Sequence, residues 1–428
     1  MNGGEVLLLF LIFVCAGVPL AVAMGAPAIL YILVEHIPLS TVAHRMQNSI
    51  NSYPLLAVPA FIFAANLMNT SGITMRLFNF ARSLLGRLPG ALAQVNVVAS
   101  LIFSGISGAA LADVGGLGAI EIKAMKENGY TAETAAAITA ASATIGPIFP
   151  PSIPFIIYAT VAEVSGVRQL LAGVVPALLI ALFFMLEIVV LAKRQHFPRD
   201  TQKTTWQAKW RIFISAFPAL MTPVLLMAGL LSGMFSPTEV ASVTVIYALL
   251  LGVFVYRELT WTAFVQIAKE SIRSTANIMF VVSAAAIFAF VLTIEQMPSQ
   301  IAELMLGISK DPVVLLMLTN VVLLLLGMIM ETIAALMVMT PILVPVLTQV
   351  GVDPVHVGVV MVLNLMIGLL TPPVGMSLYL VSIVSELPVE RVIKAILPYF
   401  IPLLLALIMV TLFPSLSTWL PNLVFGQR

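Results

Sequence analysis

The chain has 428 residues, 61% of them hydrophobic and only 9% charged, with 20 Lys and Arg against 19 Asp and Glu for a formal net charge of +1. A soluble domain carries roughly a quarter charged residues, so this composition, at a mean hydropathy of +1.09, excludes a soluble globular protein and specifies one built into a bilayer. The charge balance gives no footprint for nucleic acid, the lone Cys15 excludes an internal disulfide, and four histidines with one cysteine offer no metal cluster.

In chain order, the apolar stretch Val6 to Val34 is punctured at Gly17-Val18-Pro19. It is read as two crossings, because its counterpart in the second half is two segments, Ile212 to Leu231 and Val240 to Tyr256. The first basic residue is Arg45, so the positive n-region of a cleavable signal peptide is missing. Tyr53 to Met68 makes the third crossing. Between Thr70 and Pro89, Arg76, Asn79, Ser83 and Arg87 recur at helical spacing with Leu77, Leu84 and Leu88 on other faces. That pattern suits a helix lying in the cytoplasmic interface with leucines towards lipid; the alternative is a short solvated connector.

A Gly-rich apolar element at about 91–125 follows, then a segment at about 132–163 broken between Gly146 and Pro154, then an uninterrupted run from Leu170 to Ala192. The last has the ~20 apolar residues a crossing needs. A basic linker, 196–211, carries Trp206 and Trp210 at the membrane surface. The second half then gives a hairpin at about 312–347, a broken segment at about 355–385 and a run from Ala395 to Phe413.

The two halves repeat. Pro150-Pro151 recurs as Pro372-Pro373 at a shift of 222 residues, which also carries Gly105 to Gly327, Gly146 to Gly368 and Pro176 to Pro398. The units are 1–195 and 212–428. If the Gly-rich element is a re-entrant hairpin that enters and leaves on one side, each unit has five crossings, and an odd number sets the copies upside down. With the N-terminus outside, sixteen of the 20 Lys and Arg face the cytoplasm, leaving Arg45, Arg168, Lys310 and Arg428 outside. The expected fold is an all-α polytopic membrane protein of two inverted-topology repeats, each with a re-entrant hairpin, cytoplasmic-side in the first and periplasmic-side in the second, and a broken transmembrane helix.

Chemistry concentrates where hairpin and break meet. The first tip, Ser104-Gly105-Ile106-Ser107-Gly108, is small and hydroxylated, which lets backbone approach a ligand; the second is Gly327 to Thr332, facing Asn364, Gly368, Thr371, Pro372 and Pro373. A Pro-interrupted helix leaves carbonyls unpaired from Ala143 to Pro147, an oxygen set suited to a hard cation such as Na⁺. Tight helix packing through small residues is the alternative use of such glycines. Asp113 and Glu331 sit in or just beyond the tips as capping or coupling groups, with packing a further use for Asp113. His36, His44, His196 and His356 fall in loops or at segment ends and read as solvated.

Taken together, Ser52-Tyr53-Pro54, Phe103-Ser104-Gly105-Ile106-Ser107-Gly108, Ala112-Asp113, Gly146-Pro147-Ile148-Phe149-Pro150-Pro151-Ser152 and Thr371-Pro372-Pro373-Val374-Gly375 resemble the large membrane subunit of TRAP transporters over essentially the whole chain. The resemblance implies a sodium-driven tripartite importer of organic acids, C4-dicarboxylates, sialic acid or similar carboxylates, working as an elevator in the bacterial inner membrane with both termini periplasmic. Its partners would be a small four-helix membrane subunit, expected as a separate chain because Met1 starts in the first repeat, and a periplasmic solute-binding protein. The coupling ion would be Na⁺, with no organic cofactor. Carried over by position, sodium falls to Ser104, Gly105, Ser107, Thr144, Gly146, Gly327, Gly368 and Thr371, and substrate to Ser107, Gly108, Thr332, Pro151 and Pro373. Where many relatives carry a further hydroxyl after the first Ser-Gly, this chain has Ala109 and Ala110. Val6 to Val34, Leu170 to Ala192, Ile212 to Tyr256 and Ala395 to Phe413 would form the fixed scaffold. A stand-alone sodium- or proton-coupled organic anion carrier is the rival; an enzyme is not expected, since no histidine at bilayer depth stands near a nucleophile.

Overall fold

The structure, a computed structural model, describes residues 1–86, 88–198 and 205–426, with the side chains of all of these except Ile106 and Ser107. Arg87, Arg199, Lys203, Arg428 and the middle of the basic linker lie outside the described residues. No strand occurs among the described residues, and seven helices are long and apolar enough to cross a membrane.

The first half runs α1 (Gly3–Cys15), α2 (Leu20–Val34), α3 (Ser40–Ile50), α4 (Ala57–Thr70), α5 (Ile73–Leu85) and α6 (Ala91–Ser107). It continues through α7 (Ala110–Asp113), α8 (Ala119–Glu127), α9 (Ala132–Ser142), α10 (Ile153–Val161), α11 (Gly166–Ala172) and α12 (Val174–Arg194). The second half holds α13 (Trp206–Leu231), α14 (Pro237–Leu250), α15 (Trp261–Ile294), α16 (Met297–Ile308), α17 (Pro312–Gly327) and α18 (Thr332–Gln349). After them come α19 (Pro354–Gly368), α20 (Met376–Ser385), α21 (Val389–Ile396), α22 (Phe400–Leu412) and α23 (Ser415–Phe425).

Local chemistry sets the boundaries. Asn2 and Glu5 form a reciprocal cap on α1, and Ser236 with Glu239 does the same on α14. Gly17, at φ +75°, turns the chain between α1 and α2. The starts of α7 and α18, Ala110 and Thr332, and of α9 and α19, Ala132 and Pro354, are each separated by 222 residues, and Pro150-Pro151 and Pro372-Pro373 are both cis. Two of the differences between the copies lie in and before the hairpins. α3 and α4 are separate where α15 is one helix of 34 residues, and a π-helical turn, Val114–Gly118, sits between α7 and α8 where α18 runs unbroken.

Two groups of helices pack together. α14 lies on α4, and α15 lies on α2, α3 and α4. In the other group α12 packs on α22, α6 and α23, and α22 on α19. Leu170 to Ala192 and Ala395 to Phe413, two of the expected scaffold segments, thus pack on the first hairpin limb α6 and on the broken-helix segment α19. The reason is the buried stripe Ile180, Phe184, Ile188 and Leu191 on α12, opposite an exposed stripe of Leu178, Leu182 and Leu186.

Two smaller expectations also change. α5 forms, but Ile73, Leu77, Phe78 and Ala81 bury against protein, with α6 and α13 as its main partners. Its Arg76 pairs with Glu258 at 2.7 Å and stacks on the Tyr256 ring at 4.0 Å; of the three leucines, Leu77 faces protein while Leu84 and Leu88 remain exposed. His356 is not solvated: it is fully buried on α19, with Nδ1 3.1 Å from the Ser417 hydroxyl of α23.

Candidate functional site

Both hairpin tips dock on the opposing break through the backbone. At the first, Gly108 takes a left-handed conformation, φ +61°, and a Cβ there would lie 2.5 Å from the Pro151 carbonyl oxygen, so only glycine fits. The Ile153 N–H donates to the Gly108 carbonyl at 3.3 Å, and in the second copy the Val374 N–H donates to the Met328 carbonyl at 3.2 Å. Gly327 and Gly368 meet backbone to backbone: a Cβ on Gly368 would stand 2.6 Å from Gly327 Cα.

The limbs are tied to the broken helices by buried amides and hydroxyls. Asn96 of α6 donates to Thr139 Oγ1 at 2.7 Å and accepts from Ser142 Oγ at 2.6 Å, and Ser142 Oγ also accepts from Ser100 at 3.0 Å. In the second copy Asn364 of α19 donates to the Asn320 side chain at 3.0 Å, and Asn320 donates to Thr411 at 2.9 Å.

A cavity of about 460 Å³ opens where the two junctions meet. Four helical N-termini supply its lining: Ala109 to Ala112 at the start of α7, Ile153 and Pro154 of α10, Glu331 to Ile333 at the start of α18, and Met376 of α20. The opposite wall comes from α4, through Asn66, and from α15, through Ser274, Asn277 and Val281. Asn66 is held by a 2.9 Å hydrogen bond to Ser271 of α15. Helix N-termini carry the positive end of the helix dipole, and although Ser152 and the Gly108 carbonyl cap α10 and Glu331 caps α18, the first turns of α7 and α20 have no side-chain cap, so this arrangement suits an anion.

The sequence-derived site residues distribute unevenly around this cavity. Thr332 lines it, with a buried Oγ1 that has no hydrogen-bond partner. Gly108 and Pro151 touch each other behind the wall, whose lining begins one residue later at Ala109. Pro373 is exposed, and Met376 is the residue of that turn that reaches the lining. The Ser107 side chain lies outside the described residues.

Among the sodium candidates, Ser104, Thr144 and Thr371 each donate their hydroxyl to a carbonyl three or four residues back, those of Ser100, Ala141 and Ile367. The proton is spent on the helix, and the oxygen lone pairs remain for a cation. Gly146 sits under Asp113: a Cβ there would be 2.4 Å from Asp113 Oδ2 and 3.2 Å from the Ala143 carbonyl. Gly105 is used for packing, its Cβ position 2.8 Å from Pro223 of α13. Three of the five break carbonyls expected to be unpaired accept hydrogen bonds. Ala143 O accepts from Gly146, Ile145 O from Ile148 and Phe149, and Pro147 O from the Ser152 hydroxyl.

The two acidic residues divide. Glu331 caps α18, its Oε2 accepting from Ile333 N at 2.9 Å and Ala334 N at 3.3 Å. Asp113 makes no side-chain cap, because it falls at the end of α7, where its own N–H already bonds the Ala109 carbonyl at 3.2 Å. Its carboxylate is instead buried against Gly146.

Replacing Glu331 with alanine is expected to cost about 1 kcal/mol, the worth of a lost N-cap, seen as a lower melting temperature in detergent. Glu331→Gln, which keeps an acceptor oxygen, should recover most of it.

A family model described as the DctM component of the tripartite ATP-independent periplasmic transporter matches residues 7–416. The chain belongs to this DctM family. It is 42% identical to the sialic acid TRAP transporter large permease protein SiaM of Vibrio cholerae, over 96% of each chain. It is 34% identical to the C4-dicarboxylate TRAP transporter large permease protein DctM of the same organism, over 99% of each. The YdaH transporter of Alcanivorax borkumensis shares the fold, with a TM-score of 0.68 at 16% identity, 97% of this chain and 99% of that one being covered. The family resemblance drawn from the tip and break motifs therefore holds, and these DctM-family relatives are membrane permeases rather than enzymes.

Asn66, Ser274 and Asn277 in the cavity wall, and the Asn96 and Asn320 ties, were not among the sequence-derived site residues. The signal was available: each is an amide or hydroxyl inside an otherwise apolar segment, where a polar group needs a partner or a ligand.

Proposed function

We propose that this chain is the large transmembrane subunit of a sodium-driven tripartite importer of organic acids, working as an elevator. One observation carries it: a single cavity lies where two hairpin tips and two helix breaks converge with their N-termini inward. An organic carboxylate is held there by N–H groups at the starts of α7 and α20, because those of α10 are taken by the Gly108 carbonyl and the Ser152 hydroxyl and α18 is already neutralised by Glu331. Two inverted repeats give each side of the membrane its own gate, and the hairpin body carries the cavity past the wall of α4 and α15. The termini are periplasmic, and the small membrane subunit and a periplasmic binding protein complete the system.

Sodium fits the residues present. Ser104, Thr144 and Gly146 with Asp113 in one copy, and Gly327, Gly368 and Thr371 in the other, offer hydroxyl, carbonyl and carboxylate oxygens, the donors a hard cation prefers. What the ion supplies is positive charge at each tip. The residues' own part is to hold the tip against the break when those oxygens are satisfied.

The test is uptake of labelled organic acids into proteoliposomes holding this chain and its small subunit, with and without the binding protein, under an inward Na⁺ gradient with a K⁺ control. Uptake that needs both is expected. Uptake indifferent to the binding protein establishes the stand-alone carrier, and uptake indifferent to sodium removes the coupling ion. Ser104→Ala and Thr371→Val are each expected to raise the sodium concentration for half-maximal uptake about tenfold, the low end of what losing an ordering contact costs a metal site.

A further inference from the structure

A second cavity, of about 570 Å³, is walled in part by helices that also line the first. It is lined further along the same three helices: Thr160 and Val161 follow Pro154 on α10, Ala286 and Phe290 follow Val281 on α15, and Pro341 follows Ile333 on α18. Five to nine residues at ~1.5 Å each set the two chambers roughly 10 Å apart along the helix axes. Ile157, Val282 and Met337 mark the near end of the second chamber, and all three are apolar and buried.

The second chamber differs in charge. It is lined by Arg45 of α3 and by Glu163, just after α10, whereas the first has no basic residue in its wall. Arg45 stacks over the Phe290 ring at 4.3 Å, which fixes its guanidinium in the chamber wall. Neither Arg45 nor Glu163 is in an ion pair among the described residues. Both belong to the side assigned as periplasmic.

We propose that this outer chamber is a way-station for the organic anion, recognised through its carboxylate by Arg45 and kept from settling there by Glu163. The inference rests on the importer reading above. A guanidinium pairs with a carboxylate as a fork, and a passing site must bind well enough to admit the ion and weakly enough to release it. One cation opposed by one anion in the same wall meets both demands. The apolar neck beyond it then separates capture from the central site.

The test reads charge selectivity directly, with no transport needed. In a Cys15→Ser background, Thr160→Cys is labelled in proteoliposomes with an anionic methanethiosulfonate (sulfonatoethyl) and a cationic one (trimethylammonioethyl). Arg45→Gln is expected to lower the anionic-to-cationic rate ratio about fivefold and Glu163→Gln to raise it by a similar factor, the scale of local focusing by single charges in a cleft. Arg45→Lys, which keeps the charge, should hold the ratio near that of the Thr160→Cys parent.

In uptake of radiolabelled sialic acid and a radiolabelled C4-dicarboxylate, Arg45→Gln should raise KM and Glu163→Gln lower it, with the maximal rate little changed. A ratio that ignores Arg45→Gln, or a fall in maximal rate at constant KM, overturns the way-station and leaves Arg45 a structural partner of Phe290. Should the parent take up neither acid while the labelling pattern holds, the importer reading fails and the chamber's preference for anions stands.

Discussion

Replacing Gly368 with alanine is expected to abolish sodium-driven uptake and to lower the melting temperature, whereas Gly307→Ala leaves uptake unchanged. The chemistry of the two substitutions is the same; their surroundings are not. At Gly368 the new methyl would meet Gly327 C and Cα at 2.6 Å and O at 2.9 Å. All three atoms are backbone, so no side chain can rotate away, and α17 and α19 must separate by about 1 Å in an interior packed as densely as a crystal. Overpacking of this kind costs about 1–3 kcal/mol. The displaced junction is also the one that presents Thr371 and docks the second tip on the Val374 N–H. Around Gly307, inside α16, nothing lies within 4 Å, and the helix gains up to about 1 kcal/mol from alanine. Melting of the purified complex and uptake in proteoliposomes check both arms. A Gly368→Ala protein with wild-type uptake would show that the tip and break do not need this contact.

What could be seen in the sequence and what could not divides along a physical line. The 222-residue repeat was legible because Pro acts locally: the two double prolines restrict the backbone whatever surrounds them. The Glu331 cap was legible for the same reason, since a carboxylate two residues before free N–H groups needs no tertiary partner. The hairpin bounds, α6 with α7 to α8 and α17 with α18, follow from those signals.

Packing partners were not legible. In a chain this apolar, lipid-facing and protein-facing positions carry the same residue types. On α12, Leu182 is 51% exposed and Phe184 only 1%, so hydropathy could not tell that α12 packs on α6 and α22 on α19. His356 shows the converse. Its polarity suggested solvent, and tertiary packing placed it in a buried contact with Ser417.

Asn96→Leu is expected to uncouple the first hairpin from its broken helix. The leucine fills the amide's volume but returns neither hydrogen bond, leaving Thr139 Oγ1 without its donor and Ser142 without the acceptor of its proton. Ser142 has a fallback, the Thr139 carbonyl at 3.2 Å, so the loss is partial on that side. Stranding buried polar groups costs about 1–3 kcal/mol, and hydrogen bonds between membrane helices average ~0.6 and reach ~1.7 kcal/mol. A total near 2 kcal/mol is therefore expected. Ser142→Ala alone should cost less, because Asn96 keeps its bond to Thr139, and the double variant should fall short of the sum by a coupling of about 1 kcal/mol. The functional consequence follows from position. Ser100, bonded to Ser142, lies one turn before Ser104, so slack in the tie moves the hydroxyl proposed to face sodium. Asn96→Leu should then raise the sodium requirement as well as lower the melting temperature, whereas a leucine that merely loosened packing would lower melting alone.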